Sequence, residues 1–335
     1  MFREAAEAPA AVERQLASNR ATVEALVQRL RRTPPRAVVT VARGSSDNAA
    51  TYARYLIETR LGLLTASTAP SVSSVYDSHI DMRDVLVLAI SQSGKSPDLI
   101  ASVEQARAGG AFIAGLVNTP DSPLADIADV CLPLCAGPEV SVAATKSCVT
   151  AMAALANLVA HWSGDTAFIN QVETLPRLLE QAWACDWRPA VDAISAAANM
   201  YVIGRGIGFA AAQEAALKLK ETCGLHAEAF SAAEVLHGPM ALVGEGFPVL
   251  VFSQDDQSRE SVRAMTARFS QNRARMLVSG FEAQGATSLP AVRAAPALQP
   301  VLMLQSFYRM AEALSRARGR DPDAPPNLKK VTETV

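Results

Sequence analysis

The chain has 335 residues, of which 50% are hydrophobic and 19% are charged. This length exceeds the size at which a single core stops growing, so we expect two domains, and the composition excludes a disordered chain. The formal net charge of −2 provides no strong positive field for phosphodiester backbones, so we expect no nucleic-acid partner. Residues 1–10 lack the apolar core of a signal peptide and no apolar stretch reaches membrane-spanning length, which predicts a cytoplasmic protein without membrane contact.

The cysteines and histidines give little sign of a metal site. The five cysteines are odd in number and lie in apolar surroundings, which predicts buried, reduced thiols. Cys131 and Cys135 could be a metal pair, but their apolar neighbours favour packing. Because the four histidines do not cluster in the sequence, we expect no metal and no other cofactor.

Taken in chain order, the pattern predicts alternating helices and short buried strands. A long helix over residues 10–32 precedes a strand at 38–42, and a strand at 85–90 follows. A second helical region over 168–198 precedes strands at 200–204 and 248–252, with a helix over 209–222 after the first of them. Continuous apolar strands that alternate with helices indicate a parallel α/β sheet covered on both faces.

The chain also repeats itself. Arg43-Gly44 matches Arg205-Gly206 at an offset of 205 − 43 = 162, and the same offset pairs Ser91 with Ser253 and Ser96 with Ser258. We therefore predict an α/β fold with two tandem, doubly wound parallel-sheet domains, over residues 1–165 and 166–318, followed by a tail at 319–335. In such sheets ligands lie beyond the carboxyl ends of the strands.

A serine-rich loop over residues 91–96 follows one predicted strand. Ser96 suits a helix N-cap and Pro97 the first helical position, so free N–H groups would face the loop. Hydroxyls, an amide and backbone donors could hold a phosphate monoester, although a serine-rich helix cap without a ligand is the alternative. Asp255 and Asp256 in the second copy would repel phosphate, so we predict that only the first copy binds it.

Two other loops bear on the ligand. The first glycine turn contains only Gly44 and lacks the spaced glycines of a dinucleotide fingerprint, so NAD fits poorly. In the loop over residues 136–146, backbone donors at 142–145 could hold sugar hydroxyls, or the segment could simply begin a helix.

The helix over 209–222 carries three charges on one stripe. Glu214, Lys218 and Glu221 stand at i, i+4 and i+7, which is typical of an exposed ion pair, but charges facing the ligand crevice are the alternative. A carboxylate held near a cation and a sugar can act as a general base. His237 precedes Gly238-Pro239 and is either a structural histidine or a group that moves protons near neutral pH.

At these residues the chain resembles the sugar isomerase domain family, especially the isomerase half of glucosamine-6-phosphate synthase and the stand-alone amino-sugar-phosphate deaminases. The family also implies a flavodoxin-like form of the doubly wound fold. The motifs that carry the resemblance are ISQSG (90–94), VAATK (142–146), EAALKLKE (214–221), HAE (226–228), HGP (237–239) and NLKK (327–330).

The resemblance implies a role for each matched residue. Glu221 would move a proton between C1 and C2 of the sugar, His237 would open the ring, and Lys330 would meet the open-chain carbonyl, while Glu214 and Lys218 would complete the pocket. It also implies a homodimer in which the histidine comes from the neighbouring subunit. The residues implied to hold the sugar phosphate are Ser46, Ser91, Gln92, Ser93 and Ser96. Val142 and Ala143 are the further predicted substrate-binding residues, through their backbone donors.

The sequence therefore leaves three candidate functions. The first is deamination and isomerisation of glucosamine 6-phosphate to fructose 6-phosphate and ammonia, favoured because the chain enters the sugar-binding part at once. The second is the reverse synthesis with a separate glutaminase, and the third is a sugar-phosphate sensor without turnover. The sequence does not distinguish glucosamine from its epimers or N-substituted forms.

Overall fold

Two five-stranded parallel sheets with connecting helices form the fold in the computed structural model, which describes residues 1–76 and 78–330. The chain divides into two units. The first unit contains residues 8–139, 146–174 and 329–330, and the second contains 1–7, 140–145 and 175–328. Part of the predicted tail, residues 331–335, lies outside the described residues. The units are thus assembled from separate stretches of chain, whereas the predicted domains are continuous.

Thirteen α-helices are present in the described part of the chain. Three short 3₁₀ helices, Gly206–Gly208, Glu234–Leu236 and Pro239–Leu242, accompany them in the second unit. The α-helices are α1 (Phe2–Ala6), α2 (Ala8–Arg32), α3 (Ser45–Leu61), α4 (Pro70–Ser74), α5 (Pro97–Ala108), α6 (Pro123–Ile127), α7 (Lys146–Ser163), α8 (Thr166–Glu173), α9 (Leu175–Ala184), α10 (Arg188–Ile194), α11 (Phe209–Cys223), α12 (Arg259–Gln271) and α13 (Gln299–Ala317).

The central strands are almost entirely apolar and buried, as expected for parallel strands covered on both faces. All seven residues of the strand that ends at Ser91 are buried. The strands are β1 (Ala37–Val41), β2 (Thr65–Ser67), β3 (Val85–Ser91), β4 (Phe112–Val117), β5 (Val130–Pro133), β6 (Asn199–Gly204), β7 (His226–Ser231), β8 (Pro248–Phe252), β9 (Arg275–Ser279) and β10 (Ala286–Leu289).

Both sheets have the same strand order. The first sheet runs β2-β1-β3-β4-β5, and the second runs β10-β9-β8-β6-β7. When the second sheet is read from β7 and its strands are counted from β6, its order is also 2-1-3-4-5, the flavodoxin-like order. The predicted α/β fold with two tandem doubly wound sheets is therefore confirmed.

The element boundaries differ from the prediction in three ways. β1 and β6 begin one residue earlier than expected, and α11 extends to Cys223, where Gly224 ends it in the left-handed region at φ 55°. The helical region predicted over 168–198 is present, and it consists of three helices, α8, α9 and α10. Pro176 and Pro189 lie in the first turns of α9 and α10, where a missing N–H is tolerated.

The parallel strands bring the loops that follow them to one edge of each sheet. In the first sheet, the loops after β1 and β3 begin at Ala42 and Gln92, next to each other because those strands are paired. In the second sheet, the loops after β6 and β8 are neighbours for the same reason. No helix among the described residues is long and apolar enough to cross a membrane.

Candidate active site

The serine loop after β3 is folded so that its hydroxyl oxygens accept backbone hydrogen bonds. Gly94 N–H donates to Ser91 Oγ at 3.0 Å, and Lys95 N–H donates to Ser93 Oγ at 3.3 Å. A serine hydroxyl has one donor and two acceptor positions, so each hydroxyl proton stays available to donate elsewhere. Ser91 is buried and Ser93 half-buried, which gives the loop oriented O–H donors of the kind a phosphate accepts.

Gly94 has a left-handed backbone conformation, which favours glycine. Its φ is +66°, and a Cβ at this position would lie 2.3 Å from Ser122 Oγ and 2.8 Å from Val117 Cγ2. Its carbonyl accepts from Leu124 N–H at 3.1 Å, which fixes the loop against the start of α6. The turn at Gly94 is therefore packed against Ser122 and Val117 and is held by the hydrogen bond from Leu124.

Helix α5 begins immediately after this loop, as predicted. Ser96 is at the N-cap and Pro97 in the first turn, but the Ser96 hydroxyl does not make the usual capping hydrogen bond within the described chain. Its oxygen is therefore not consumed by the helix end. Ser46 lies in the first turn of α3, after the neighbouring strand β1, so its hydroxyl belongs to the same edge of the first sheet.

Arg43 and Asp98 form an ion pair that the sequence does not reveal. Nε and a terminal nitrogen of Arg43 donate to Asp98 Oδ2 at 2.8 and 2.7 Å. The Asp98 side chain is 1% exposed, whereas that of Arg43 is 52% exposed. This buried carboxylate therefore holds a guanidinium at the start of α5.

The equivalent loop of the second copy is closed by its own side chains. Asp256 accepts hydrogen bonds from Ser258 N–H at 2.9 Å and from Gln254 Nε2 at 2.9 Å. Gln254 Nε2 also donates to Ser258 Oγ at 2.7 Å and to Arg205 O at 2.8 Å. The loop after β8 therefore engages Asp256 and Ser258 in its own hydrogen bonds and does not repeat the open serine loop.

Glu214, Lys218 and Glu221 form a continuous row of charges along α11. Lys218 Nζ lies 3.6 Å from Glu214 Oε1 and makes a short ion pair with Glu221 Oε2. The side chains of Glu214 and Lys218 are 0% and 1% exposed, whereas that of Glu221 is 22% exposed. The interpretation as an exposed surface ion pair is wrong, and Glu221 is the accessible end of a buried row.

A residue that sequence reasoning missed extends this row. Tyr308 on α13 is buried, and its hydroxyl donates to Glu214 Oε1 at 3.0 Å. The two helices are joined again by Ser315, whose hydroxyl donates to Thr222 O at 2.7 Å. A buried tyrosine hydroxyl needs a partner, but helical spacing alone cannot identify a partner 94 residues away.

His237 and Lys330 belong to different units. His237 is exposed, follows the 3₁₀ helix Glu234–Leu236 and precedes Gly238 at φ 133°, in the second unit. Lys330 is in the first unit with its Nζ 3.5 Å from Glu139 Oε2. Glu139 is buried and also accepts from the Ser147 hydroxyl at 2.6 Å. A buried carboxylate thus holds the predicted carbonyl-contacting lysine.

The predicted sugar-contacting segment at 142–145 lies in the second unit before α7. The Val142 N–H donates to Asp323 O at 3.2 Å, so this backbone donor is already engaged, contrary to the prediction that it faces a sugar. Ala143 is buried. The structure thus groups the predicted residues in two sets, with Ser46, Ser91, Gln92, Ser93, Ser96 and Lys330 in the first unit and Glu214, Lys218, Glu221, His237, Val142 and Ala143 in the second.

Metal ligation finds no geometric support in the part of the chain that the structure describes. Within residues 1–76 and 78–330, no three His, Cys, Asp or Glu side chains are grouped as metal ligands. Burial raises the pKa of the thiols of Cys131, Cys185 and Cys223, the last to about 11, which keeps these sulfurs protonated near neutral pH.

The chain is similar in sequence to curated proteins. A glutamine–fructose-6-phosphate aminotransferase (isomerizing) from Aeropyrum pernix is 34% identical over 310 residues, which cover 87% of this chain and 50% of that protein. The corresponding protein of Aquifex aeolicus is 30% identical over 99% of this chain and 57% of its own length. The chain thus spans about half the length of the curated relatives it matches.

A solved structure matches the chain over its whole length. A proposed phosphosugar isomerase from Silicibacter pomeroyi is 42% identical, with a TM-score of 0.92 over 96% of this chain and 99% of that one. The family model described as the SIS domain matches residues 33–161 and 193–279, which include the serine loop and helix α11. The chain therefore belongs to the SIS domain family, as two tandem copies of that domain.

Proposed function

We propose that the chain interconverts fructose 6-phosphate plus ammonia and glucosamine 6-phosphate. The observation that carries this proposal is the row on α11, where one partly exposed carboxylate, Glu221, is held by a fully buried lysine. A general base must contact the ligand and keep a fixed orientation. The ion pair with Lys218 fixes the orientation of Glu221. The curated relatives support amino-sugar phosphate as the substrate class.

The proton transfer uses one carboxylate for both steps. In the aminating direction, ammonia adds to C2 of open-chain fructose 6-phosphate and water leaves, which gives a ketimine. Glu221 then removes a proton from C1 and returns it to C2, while the C1 hydroxyl loses its proton and the nitrogen gains one, so that the C2–N bond becomes that of an amine and C1 becomes an aldehyde. In the deaminating direction the same carboxylate moves the proton from C2 to C1, and water hydrolyses the ketimine to release ammonia.

The other predicted residues have separate tasks in this proposal. The O–H groups of the serine loop hold the phosphate, and the oxygens of two of them, Ser91 and Ser93, already accept backbone N–H donors. His237 opens the sugar ring, and we propose that it acts in the site of a partner subunit, so that the active enzyme is a homodimer. Lys330 meets the open-chain carbonyl while Glu139 fixes its position.

The net direction has two candidates. The aminating direction is favoured by the curated relatives, which are isomerizing aminotransferases, and requires an ammonia source such as a glutaminase. The deaminating direction is the second candidate, because the same carboxylate can move the proton from C2 to C1 and water can then hydrolyse the ketimine. Both directions use the same carboxylate, so they are distinguished by kinetics rather than by the geometry of the site.

The experiment measures ammonia release from glucosamine 6-phosphate and glucosamine 6-phosphate formation from fructose 6-phosphate with ammonium salts. Glu221→Gln should lower kcat in both directions by at least about 100-fold, because a general base contributes about 10²–10⁴. Sugar-phosphate binding should change little. Glu260→Gln, an exposed carboxylate in the first turn of α12, is the matched control and should keep full activity.

Two results would contradict the proposal. Full activity in Glu221→Gln would refute the assigned base. Binding of both sugar phosphates without turnover in either direction, by the wild-type protein, would favour the sensor without turnover.

A further inference from the structure

A cavity of about 540 Å³ in the second unit is lined by none of the residues assigned above to catalysis or to phosphate binding. It is at the carboxyl edge of the second sheet, because Ser253 follows β8, Gly280 follows β9 and Leu289 ends β10. This is the edge where ligands of doubly wound sheets bind, and the volume falls in the range of roughly 300–1,000 Å³ found for small-molecule sites.

The charged side chains that line the cavity include two of each sign. Arg259 and Arg293 provide guanidinium groups, and Asp255 and Glu282 provide carboxylates. Arg259 is held in place, since one of its terminal nitrogens lies 2.6 Å from Asp255 Oδ1 and its Nε donates to Gln254 O at 3.1 Å. A lining with balanced charges favours a ligand that itself carries both signs over one that carries only a phosphate.

A buried hydroxyl in the cavity wall gives a second, independent indication of a ligand. Ser253 is 1% exposed, and its Oγ has no hydrogen-bond partner among the residues that the structure describes. A buried polar atom without a partner is costly, and a ligand hydroxyl or phosphate oxygen would remove that cost. Gly280, at φ +107°, lies against the backbone of Ser253. A Cβ at residue 280 would lie only 1.8 Å from Ser253 O.

The internal repeat relates this cavity to the serine loop. Ser253 follows Ser91 by 162 residues, so the two serines mark equivalent strand ends of the two copies. Because the loop after β8 is closed by Asp256, a ligand in the second copy cannot use loop hydroxyls as in the first. It would instead meet the guanidinium groups of α12 and of the segment after β10.

We propose that this cavity is a second binding site for a zwitterionic amino-sugar phosphate. The phosphate contacts Arg259 and Arg293, and the ammonium group contacts Asp255 or Glu282. The identity of the ligand rests on the proposed function, because that molecule is then the chain's own substrate or product. The existence of the site rests only on the cavity, its charges and Ser253.

Calorimetric titration of the full chain with glucosamine 6-phosphate tests this proposal, in the Glu221→Gln background so that turnover does not consume the ligand. We expect two sites per chain. Arg293→Met should weaken the second site by at least about tenfold, because it removes one charge partner at the rim. Arg273→Met is the matched control, since this exposed arginine pairs with Glu245 outside the cavity and should leave both sites unchanged.

Further titrations separate the two sites and the two proposals. Gly94→Ala should weaken only the serine-loop site, by at least about tenfold. Fructose 6-phosphate or glucosamine should bind the Arg293-dependent site at least about tenfold more weakly than glucosamine 6-phosphate. If the chain does not bind the sugar phosphate at the serine loop, Gly94→Ala should leave the titration unchanged. Arg293→Met should still weaken binding to the cavity. A single site that is insensitive to Arg293→Met would overturn the proposal, and equal binding of fructose 6-phosphate would overturn the zwitterionic ligand.

Discussion

The Tyr308 hydroxyl donates a 3.0 Å hydrogen bond to Glu214 Oε1, which joins α13 to the buried charge row of α11. Tyr308→Phe would remove a donor from a carboxylate that is fully buried. We expect the free energy of unfolding to fall by about 1–3 kcal/mol, the cost of leaving a buried polar group less satisfied. Urea unfolding measures the change. Tyr76→Phe, at a tyrosine that is 72% exposed, is the control, and equal losses in both variants would contradict the role of the hydrogen bond.

Gly94→Ala should disrupt the serine loop without unfolding the protein. The new Cβ would lie 2.3 Å from Ser122 Oγ, so the loop has to shift, and φ +66° adds strain. We expect fructose 6-phosphate binding to weaken by at least about tenfold, since loss of the oriented serine donors should cost at least one charge-assisted hydrogen bond. Gly62→Ala has the same φ of +66° but open space around its Cβ, which makes it the matched control. Similar affinities in the two variants would show that the packed turn does not matter for binding.

Cys223 should resist alkylation in the folded protein. Burial raises the pKa of its thiol to about 11, and its Sγ donates to Ala311 O at 3.4 Å. At pH 8 the reactive thiolate is therefore scarce, and the thiol is also inaccessible. Mass spectrometry after iodoacetamide treatment at pH 8 should find Cys223 modified only after denaturation. Rapid labelling in the native state would contradict this environment.

The same pKa shift has a consequence for stability at high pH. Because the folded-state value is raised, the stabilising contribution of this buried neutral thiol is complete below the unfolded-state value of about 8.5. It is lost as the pH rises toward about 11. The wild-type thermal midpoint should therefore fall more steeply over this interval than that of Cys223→Ala. Parallel pH profiles of the two proteins would refute the linkage.

Asp165 should stabilise α8 only while it is ionised. Phe168 N–H donates to Asp165 Oδ1 at 3.0 Å, and this hydrogen bond, together with Arg60, lowers the pKa of the carboxyl. A lowered pKa gives a stabilising contribution that is present above the unfolded value of about 3.9 and lost as the pH falls through the folded-state value. Asp165→Ala should therefore lower the thermal midpoint at pH 6, and the difference should shrink near pH 2. A constant difference would contradict an electrostatic cap.

The sequence alone predicted those features that have a local or periodic signal. The offset of 162 between Ser91 and Ser253 predicted a duplicated sheet, and both sheets have the same strand order. The strand ends were correct to within one residue because apolar runs and glycine turns are local. Six strands, β2, β4, β5, β7, β9 and β10, were not predicted. For β2 the reason is its length, since three residues carry too little periodicity.

The site was only partly predictable because its partners are distant in sequence. The i, i+4, i+7 spacing placed Glu214, Lys218 and Glu221 on one stripe but could not say that the first two are buried. That burial depends on α13, nearly 100 residues further along the chain, which contributes Tyr308. The Arg43–Asp98 pair likewise joins the loop after β1 to the start of α5, which the pairing of β1 with β3 brings together.

The way the two units share the chain limits how the protein can be divided. The backbone passes between the units after residues 7, 139, 145, 174 and 328, so no single cut separates them. A fragment ending at residue 174 would keep one whole sheet but would carry two stray pieces of the other unit and lack Lys330. Halves expressed separately should therefore be poor substitutes for the intact protein, and the duplicated ancestry visible in the strand order no longer corresponds to two independent modules.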